Sequence, residues 1–156
     1  MSSIDCGTNN GMPCLLDVNV LVALFDQAHV HHVAAHDWFS KSGATGWSTC
    51  PITENGVLRI LSHAAYPNTP VPMTDLAERL EEFKKATETH AFWSDDYSLS
   101  EWLADRKLPV GSSQSTDAYL LKLCQKKKGV LATFDQRIRP SLIGERSPSL
   151  IEYLPV

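Results

Sequence analysis

Short apolar runs alternate along this chain with segments whose apolar residues recur at helical spacing. The runs cover residues 14–18, 47–50, 90–93, 129–134 and 150–154, and helices are predicted over 19–26, 30–40, from 51 onward, 74–87, 100–106 and 115–127. Short apolar runs of this kind are typical of buried strands. Strands that alternate with helices form parallel sheets covered by helices on both faces. The sequence therefore predicts an α/β fold, a three-layer α/β/α sandwich with a central, mainly parallel sheet.

Two of the predicted helices have an apolar face that periodicity assigns to the core. For the helix over 30–40, that face consists of Val30, Val33, Ala34 and Trp38. For the helix over 74–87 it consists of Leu76, Leu80 and Phe83. The charged residues of this second helix, Lys84 and Lys85 among them, are predicted to lie on the opposite, solvated face.

Nothing in the sequence divides the chain into two units, because it has no internal repeat and no long Ser/Gly linker. A chain of 156 residues suits one domain. We expect that domain over residues 13–156, after a flexible lead-in at 1–12. The longest apolar run has six residues, 20–25, far fewer than the ~20 of a membrane span. Since the lead-in carries neither a basic residue nor an apolar block, we expect a cytoplasmic protein with no membrane association.

Two of the apolar runs have a carboxylate near their end. Asp17 closes the apolar part of the first run, and Asp135 directly follows the fourth. A buried carboxylate needs a cation, hydrogen bonds or solvent, and both would project from the same edge of a parallel sheet. Glu54 and Asp117 fall in the first turns of helices that reach that edge, where an acid also favours the helix dipole. Four acids that can meet at one edge favour a hard divalent cation with oxygen ligands. The sequence predicts an acidic pocket for Mg²⁺ or Mn²⁺.

Four segments carry these acids: LLDVNVLVA at 15–23, TCPITENGVLR at 49–59, TDAYLL at 116–121 and LATFD at 131–135. In this order they resemble the motif series of PIN-domain ribonucleases, and specifically the VapC-type toxins of bacterial type II toxin–antitoxin systems. The resemblance implies the catalytic residues Asp17, Glu54, Asp117 and Asp135. It implies Asp17 and Asp117 as direct metal ligands, with Asp135 acting directly or through water and Glu54 positioning water or a second ion. It also implies supporting or substrate roles for Asn19, Thr116 and Thr133.

The resemblance implies hydrolysis of RNA phosphodiester bonds by metal-activated water, leaving a 3′-hydroxyl and a 5′-phosphate. It further implies a VapB-type antitoxin, for which the helical pair around 51–87 is the candidate surface, and a homodimer. Three arginines near the motif acids are candidates for guiding phosphates: Arg59, Arg137 and Arg139. The net charge of −4 argues against nonspecific coating of nucleic acid, which requires surplus Lys and Arg. The sequence leaves the RNA target and the number of metal ions open.

Three other functions remain alternatives. A receiver-like Mg²⁺-binding signalling domain needs a lysine at the end of a late strand, and residues 131–135 offer none. An aspartyl phosphotransferase needs two acids in a D-x-D turn, whereas Asp17 is followed by Asn19 at the second position. A PIN-fold nucleic-acid-binding module without catalysis, or with a different specificity, would keep the fold. The presence of all four acids counts against that module.

Overall fold

Five short parallel strands form the predicted sheet in the computed structural model, which describes residues 11–156. The strands are β1 (Cys14–Leu16), β2 (Trp47–Thr49), β3 (His90–Phe92), β4 (Val130–Thr133) and β5 (Ile151–Tyr153). Their order is β3-β2-β1-β4-β5, and every neighbouring pair is parallel. The parallel sheet predicted from the alternating runs is therefore confirmed, with β1 at its centre.

Six α-helices of the described residues cover the two faces of the sheet. They are α1 (Val18–Phe25), α2 (His32–Lys41), α3 (Pro51–Ser62), α4 (Met73–Ala86), α5 (Leu99–Arg106) and α6 (Ser115–Lys126). Helices α1 to α4 pack in one apolar core with one set of strand residues, among them Leu16 and Ala132. Helices α5 and α6 pack in a second core with the alternate residues of the same strands, among them Leu15 and Leu131. Since side chains alternate across a strand, the result is the predicted three-layer sandwich.

The inner face of α2 differs from the prediction. Val30 and Val33 are 85% and 70% exposed, and the buried residues of the helix are Ala35, Trp38 and Phe39. The helix begins at His32, so Val30 precedes it and cannot share its face. Spacings of three and four residues bring the three buried side chains onto one stripe, which turns Val33 towards solvent. Of the predicted inner face, Trp38 alone is buried.

Two histidines of α2 cap the C-terminus of helix α1. The His32 Nδ1 atom lies 2.8 Å from the carbonyl oxygen of Ala23, and His36 Nε2 lies 3.1 Å from that of Leu24. Carbonyls in the last turn of a helix have no partner within the helix, so ring N–H groups that donate to them stabilise its end. These rings therefore have a structural role at the α1–α2 junction.

Helix α4 follows the predicted pattern except at Lys84. Leu76 and Leu80 are buried and Phe83 packs against the same core, as predicted. The Lys84 side chain, which the pattern assigned to the solvated face, is only 13% exposed. Its ammonium group contacts Glu81, one turn earlier on α4, and Glu54 on α3, and a partner on another helix cannot be recognised from helical periodicity.

Residues 1–10 of the predicted lead-in lie outside the described residues. Among the helices described within residues 11–156, none is long and apolar enough to cross a membrane. Cys14, Cys50 and Cys124 are buried.

Helix α3 approaches α1 closely at Gly56. A Cβ atom at this position would lie 2.6 Å from Cγ2 of Val18. We expect Gly56→Ala to lower the free energy of unfolding, because overpacking costs about 1–3 kcal/mol. Helix propensity alone would give the opposite sign, a gain of about 1 kcal/mol. Chemical denaturation measures the difference.

Gly111→Ala is the matched control, because φ is −79° there and the new Cβ would meet only the Gln114 side chain, at 3.5 Å. A Gly56→Ala protein as stable as the parent would contradict the packing account.

Candidate active site

The carboxyl ends of β1 and β4 meet at the centre of one sheet edge. Leu16 pairs with Ala132, and the next residue, Asp17, donates its backbone N–H to the Ala132 carbonyl at 2.9 Å. The chain leaves β1 through Asp17 and leaves β4 through Thr133, so the side chains that follow the two strands are brought together. This is the edge at which ligands bind in folds with parallel sheets.

Asp17 is the buried carboxylate at this edge, with 8% of its surface exposed. Its Oδ1 accepts the backbone N–H of Val18 at 2.8 Å and so caps the N-terminus of α1. Its Oδ2 accepts the Thr133 hydroxyl at 2.8 Å. Burial raises the pKa of Asp17, and the bonds from Thr133 and Val18 oppose that shift. Asn19 Nδ2 also donates to Oδ2, at 3.5 Å, so both oxygens of Asp17 are fixed in orientation.

Thr133 and Asn19 connect the two strand ends. The Thr133 hydroxyl oxygen accepts from Asn19 Nδ2 at 3.0 Å and from the backbone N–H of Asp135 at 3.0 Å. Asn19 Oδ1 accepts the backbone N–H of Phe134 at 3.1 Å. Because these bonds span the start of α1 and the end of β4, they set the relative position of Asp17 and Asp135.

Three aspartates of this edge interact electrostatically. Burial, followed by the charges of Asp17 and Asp135, raises the pKa of Asp117 to about 6. The charge of Asp135 also contributes to raising the pKa of Asp17. Asp117 lies in the first turn of α6, as predicted. A positive charge among these carboxylates would relieve their repulsion.

Arg137 supplies such a charge in direct contact with Asp135. Its Nε lies 3.0 Å from Oδ1 of Asp135 and its Nη2 lies 3.1 Å from Oδ2, a two-pronged contact. The hydrogen bond from Arg137 lowers the pKa of Asp135. Asp135 is therefore the aspartate of the three that carries a paired charge.

A cleft of about 460 Å³ opens beside these aspartates. Its charged lining residues are Asp117, Asp135, Arg137 and Arg139, and its other lining residues are Ser113, Gln114, Ile138, Ser141 and Leu142. The Arg139 guanidinium carbon lies 5.7 Å from the centre of the Tyr153 ring, and Nη1 donates to the Tyr153 hydroxyl at 3.2 Å. Cationic and acidic groups thus share one open cleft.

Glu54 has different neighbours from the three aspartates. It lies in the first turn of α3, as predicted, with 16% of its side chain exposed. Its carboxylate accepts the Thr49 hydroxyl, and Oε2 lies 3.2 Å from Nζ of Lys84. The sequence pattern gave no sign of Lys84 at this position.

The donor set at the edge suits a hard divalent cation, because it consists of carboxylate oxygens that repel one another. Asp17, Asp117 and Asp135 are the residues that would hold it. Within residues 11–156, however, no three His, Cys, Asp or Glu side chains are gathered closely enough to hold a metal ion.

The remaining predicted residues lie at the edge or outside the cleft. Thr116 is exposed in the first turn of α6, next to Asp117. Arg59 is exposed on α3 and lines a different groove, together with Ile52 and Met73. Sequence reasoning missed Tyr153, whose ring supports Arg139, since nothing in the last strand's pattern distinguishes it from a packing residue.

Known proteins match most of this chain in sequence. The model of the PIN domain family matches residues 14–140. Ribonuclease VapC44 of Mycobacterium tuberculosis (strain CDC 1551 / Oshkosh) is 42% identical over 130 residues, which cover 81% of this chain and 89% of the relative. Ribonuclease VapC38 of the H37Rv strain is 37% identical over 142 residues, 91% of this chain and 98% of the relative. Ribonuclease VapC39 of the CDC 1551 strain is 38% identical over 145 residues, 92% of this chain and all of the relative (100%).

The raised pKa of Asp117 has a consequence for stability. An aspartate of the unfolded chain has a pKa of ~3.9, whereas the pKa of Asp117 in the folded protein is about 6. As the pH rises, the unfolded chain therefore releases this proton before the folded protein does. The folded protein then loses stability between about pH 4 and about pH 6. We expect Asp117→Asn to raise the thermal midpoint at pH 7.5 in the presence of a chelator, with the gain vanishing near pH 4.

Asp37→Asn, which removes the same charge from an exposed position in α2, is the control and should show no such gain. A gain for Asp117→Asn that persists at pH 4, or none at pH 7.5, would refute the electrostatic account.

Proposed function

Because the chain belongs to the PIN-domain family and, within it, to the VapC-type ribonucleases, we propose that it is the RNA-cleaving toxin of a toxin–antitoxin pair, acting in the cytoplasm. It cleaves RNA phosphodiester bonds endonucleolytically and depends on Mg²⁺ or Mn²⁺. The observation that carries this proposal is the group of aspartates at the carboxyl ends of β1 and β4, with Asp117 raised to a pKa of about 6 by burial and by its acidic neighbours.

The aspartates have separate roles in this proposal. Asp17 and Asp117 are direct ligands of the cation, and Asp135 acts directly or through water. The chemistry that a bound divalent cation supplies is activation of water and neutralisation of charge at the phosphate. Thr133 and Asn19 hold Asp17 in one orientation through the bonds described above, which supports their assignment as positioning residues. Thr116 is assigned to substrate contact at the start of α6.

The cleft beside the aspartates is the proposed RNA path. Phosphate contacts from arginine give affinity, and serine and glutamine side chains can donate to phosphate or sugar oxygens. Arg139 is the better phosphate-binding candidate, since its contacts in the described part of the chain are to Tyr153 and to backbone carbonyls. Arg137, by contrast, already pairs with Asp135.

The proposed partner is a VapB-type antitoxin. The predicted surface between α3 and α4 extends to a groove whose lining includes Leu24, Phe25, His32, Arg79 and Phe83. Apolar residues beside charged groups of both signs, Arg79 and Glu82, suit an amphipathic segment of a small partner. Copurification with the product of an adjacent gene, and inhibition of RNA cleavage by that product, test this partner.

A homodimer is also proposed, and light scattering tests it.

The decisive experiment is cleavage of total bacterial RNA by purified protein, with Mg²⁺, with Mn²⁺ and with a chelator. We expect cleavage only with divalent cation and none by Asp17→Asn, since asparagine keeps an oxygen to cap α1 but removes the ligand charge. Asp37→Asn is the matched control and should cleave like the parent.

Cleavage by Asp17→Asn at the parent's rate would refute the site. Absence of cleavage by the parent would refute the activity, and RNA binding without cleavage would favour the noncatalytic alternative.

A second prediction separates the arginines. We expect Arg139→Met to raise the KM for RNA several-fold and to lower the salt dependence of binding by about one ion, as the loss of one phosphate contact does. Arg59→Met, outside the cleft, tests the role assigned to Arg59 from its place in the sequence and is expected to change KM less. Steady-state kinetics at three salt concentrations measures both, and an equal effect of the two substitutions would contradict the proposed path.

A further inference from the structure

Lys84 lies between two helices in a place where no lysine was expected. Its side chain is 13% exposed, whereas the neighbouring Lys85 is exposed at the surface of α4. Nζ lies 3.2 Å and 3.4 Å from the two carboxylate oxygens of Glu54 and 2.9 Å from Oε1 of Glu81. The ammonium group therefore binds both oxygens of a residue that belongs to the predicted four-acid set.

The opposite side of the Glu54 carboxylate is also occupied. The Thr49 hydroxyl donates its one proton to Oε2, so the contact of 2.8 Å between Thr49 and His90 has the ring Nε2 of His90 as donor. A continuous chain thus runs from His90 through Thr49 to Glu54. Thr49 lies on β2 and His90 on β3, and because both strands belong to the sheet, the position of the Glu54 carboxylate is rigid.

The electrostatic surroundings of Glu54 differ from those of the aspartates. Asp17 and Asp117 have raised pKa values, with burial as the main cause. Glu54 instead has a cation in direct contact, as Asp135 has in Arg137. The pair is more shielded from solvent than the Asp135 pair, because Lys84 is 13% exposed and Arg137 is 90% exposed. A buried ion pair is costly to break by removing one partner, since the other charge is left without compensation.

We propose that Lys84 is a positioning residue that holds Glu54 in an internal ion pair, so that the divalent cation is bound by Asp17, Asp117 and Asp135 without this glutamate. The inference rests on the proposed function. The Lys84 ammonium group occupies the position beside Glu54 that a metal ion would otherwise take. It predicts a centre to which Glu54 contributes no ligand.

Mn²⁺ binding, followed by calorimetry and by the electron paramagnetic resonance signal of free Mn²⁺, tests the proposal on the full chain without RNA. Asp117→Asn is expected to weaken Mn²⁺ binding at least tenfold, as loss of a ligand does, and Glu54→Gln to change the Kd less than about threefold. Lys84→Met, which keeps the length of the side chain, is expected to raise the affinity of the protein for Mn²⁺ roughly tenfold, because the Glu54 carboxylate loses the cation that neutralises it. The double substitution Lys84→Met, Glu54→Gln should abolish that gain.

Two controls separate this role from a purely structural one. Lys84→Arg keeps the charge and should leave the Mn²⁺ isotherm as in the parent, whereas a packing role would be disturbed by the larger group. Lys85→Met removes a charge from the exposed side of α4 and should also leave the isotherm unchanged.

The proposal is overturned if Glu54→Gln weakens Mn²⁺ binding as much as Asp117→Asn, or if Lys84→Met binds Mn²⁺ as the parent does. If the parent binds no Mn²⁺ and cleaves no RNA, the proposed function fails and this inference fails with it. If the parent binds Mn²⁺ and cleaves RNA while either of the first two results is found, only the role of Lys84 is refuted.

Discussion

The sheet edge that carries Asp17 and Asp135 depends on the hydrogen bond from the Thr133 hydroxyl to the carboxylate of Asp17. A carboxylate that is nine-tenths buried at the end of the central strand is costly unless its oxygens are satisfied, and this bond joins it to the end of the neighbouring strand. The same hydroxyl accepts from Asn19 and from the backbone of Asp135. One side chain therefore sets the spacing between the residue that begins α1 and the acid that follows β4.

The sequence predicted much of this arrangement because the relevant signals are local. Apolar runs as short as 14–18 and 129–134 fit strands better than helices, and an acid directly after such a run must emerge at the sheet edge. The positions of Asp17 and Asp135 were therefore predictable from the chain itself. The first-turn positions of Glu54 and Asp117 followed from the helix starts at Pro51 and Ser115.

What the sequence could not provide was the rotation of the helices and the partners of long side chains. The face of α2 was wrong because Val30 and Val33 were assigned to it by their polarity, whereas Val30 precedes the helix and Val33 lies roughly opposite the buried Ala35 and Phe39. The position of Lys84 was missed because periodicity sorts residues by polarity, and a lysine turned inward is stable only where carboxylates from another helix meet it. Contacts between distant segments, such as Arg139 with Tyr153, leave no periodic signal.

Helix α1 has eight residues, fewer than a helix needs to persist alone in water, and both of its ends are completed by side chains. Asp17 satisfies its first turn, and the rings of His32 and His36 satisfy its last carbonyls. The helix is about 12 Å long, so it links the sheet edge at Asp17 to the groove between α2 and α4. The acid at one end and the histidines at the other thus belong to a single cooperative unit. Unwinding α1 from its histidine end would release the orientation of the buried acid, although no residue of that end touches the cleft.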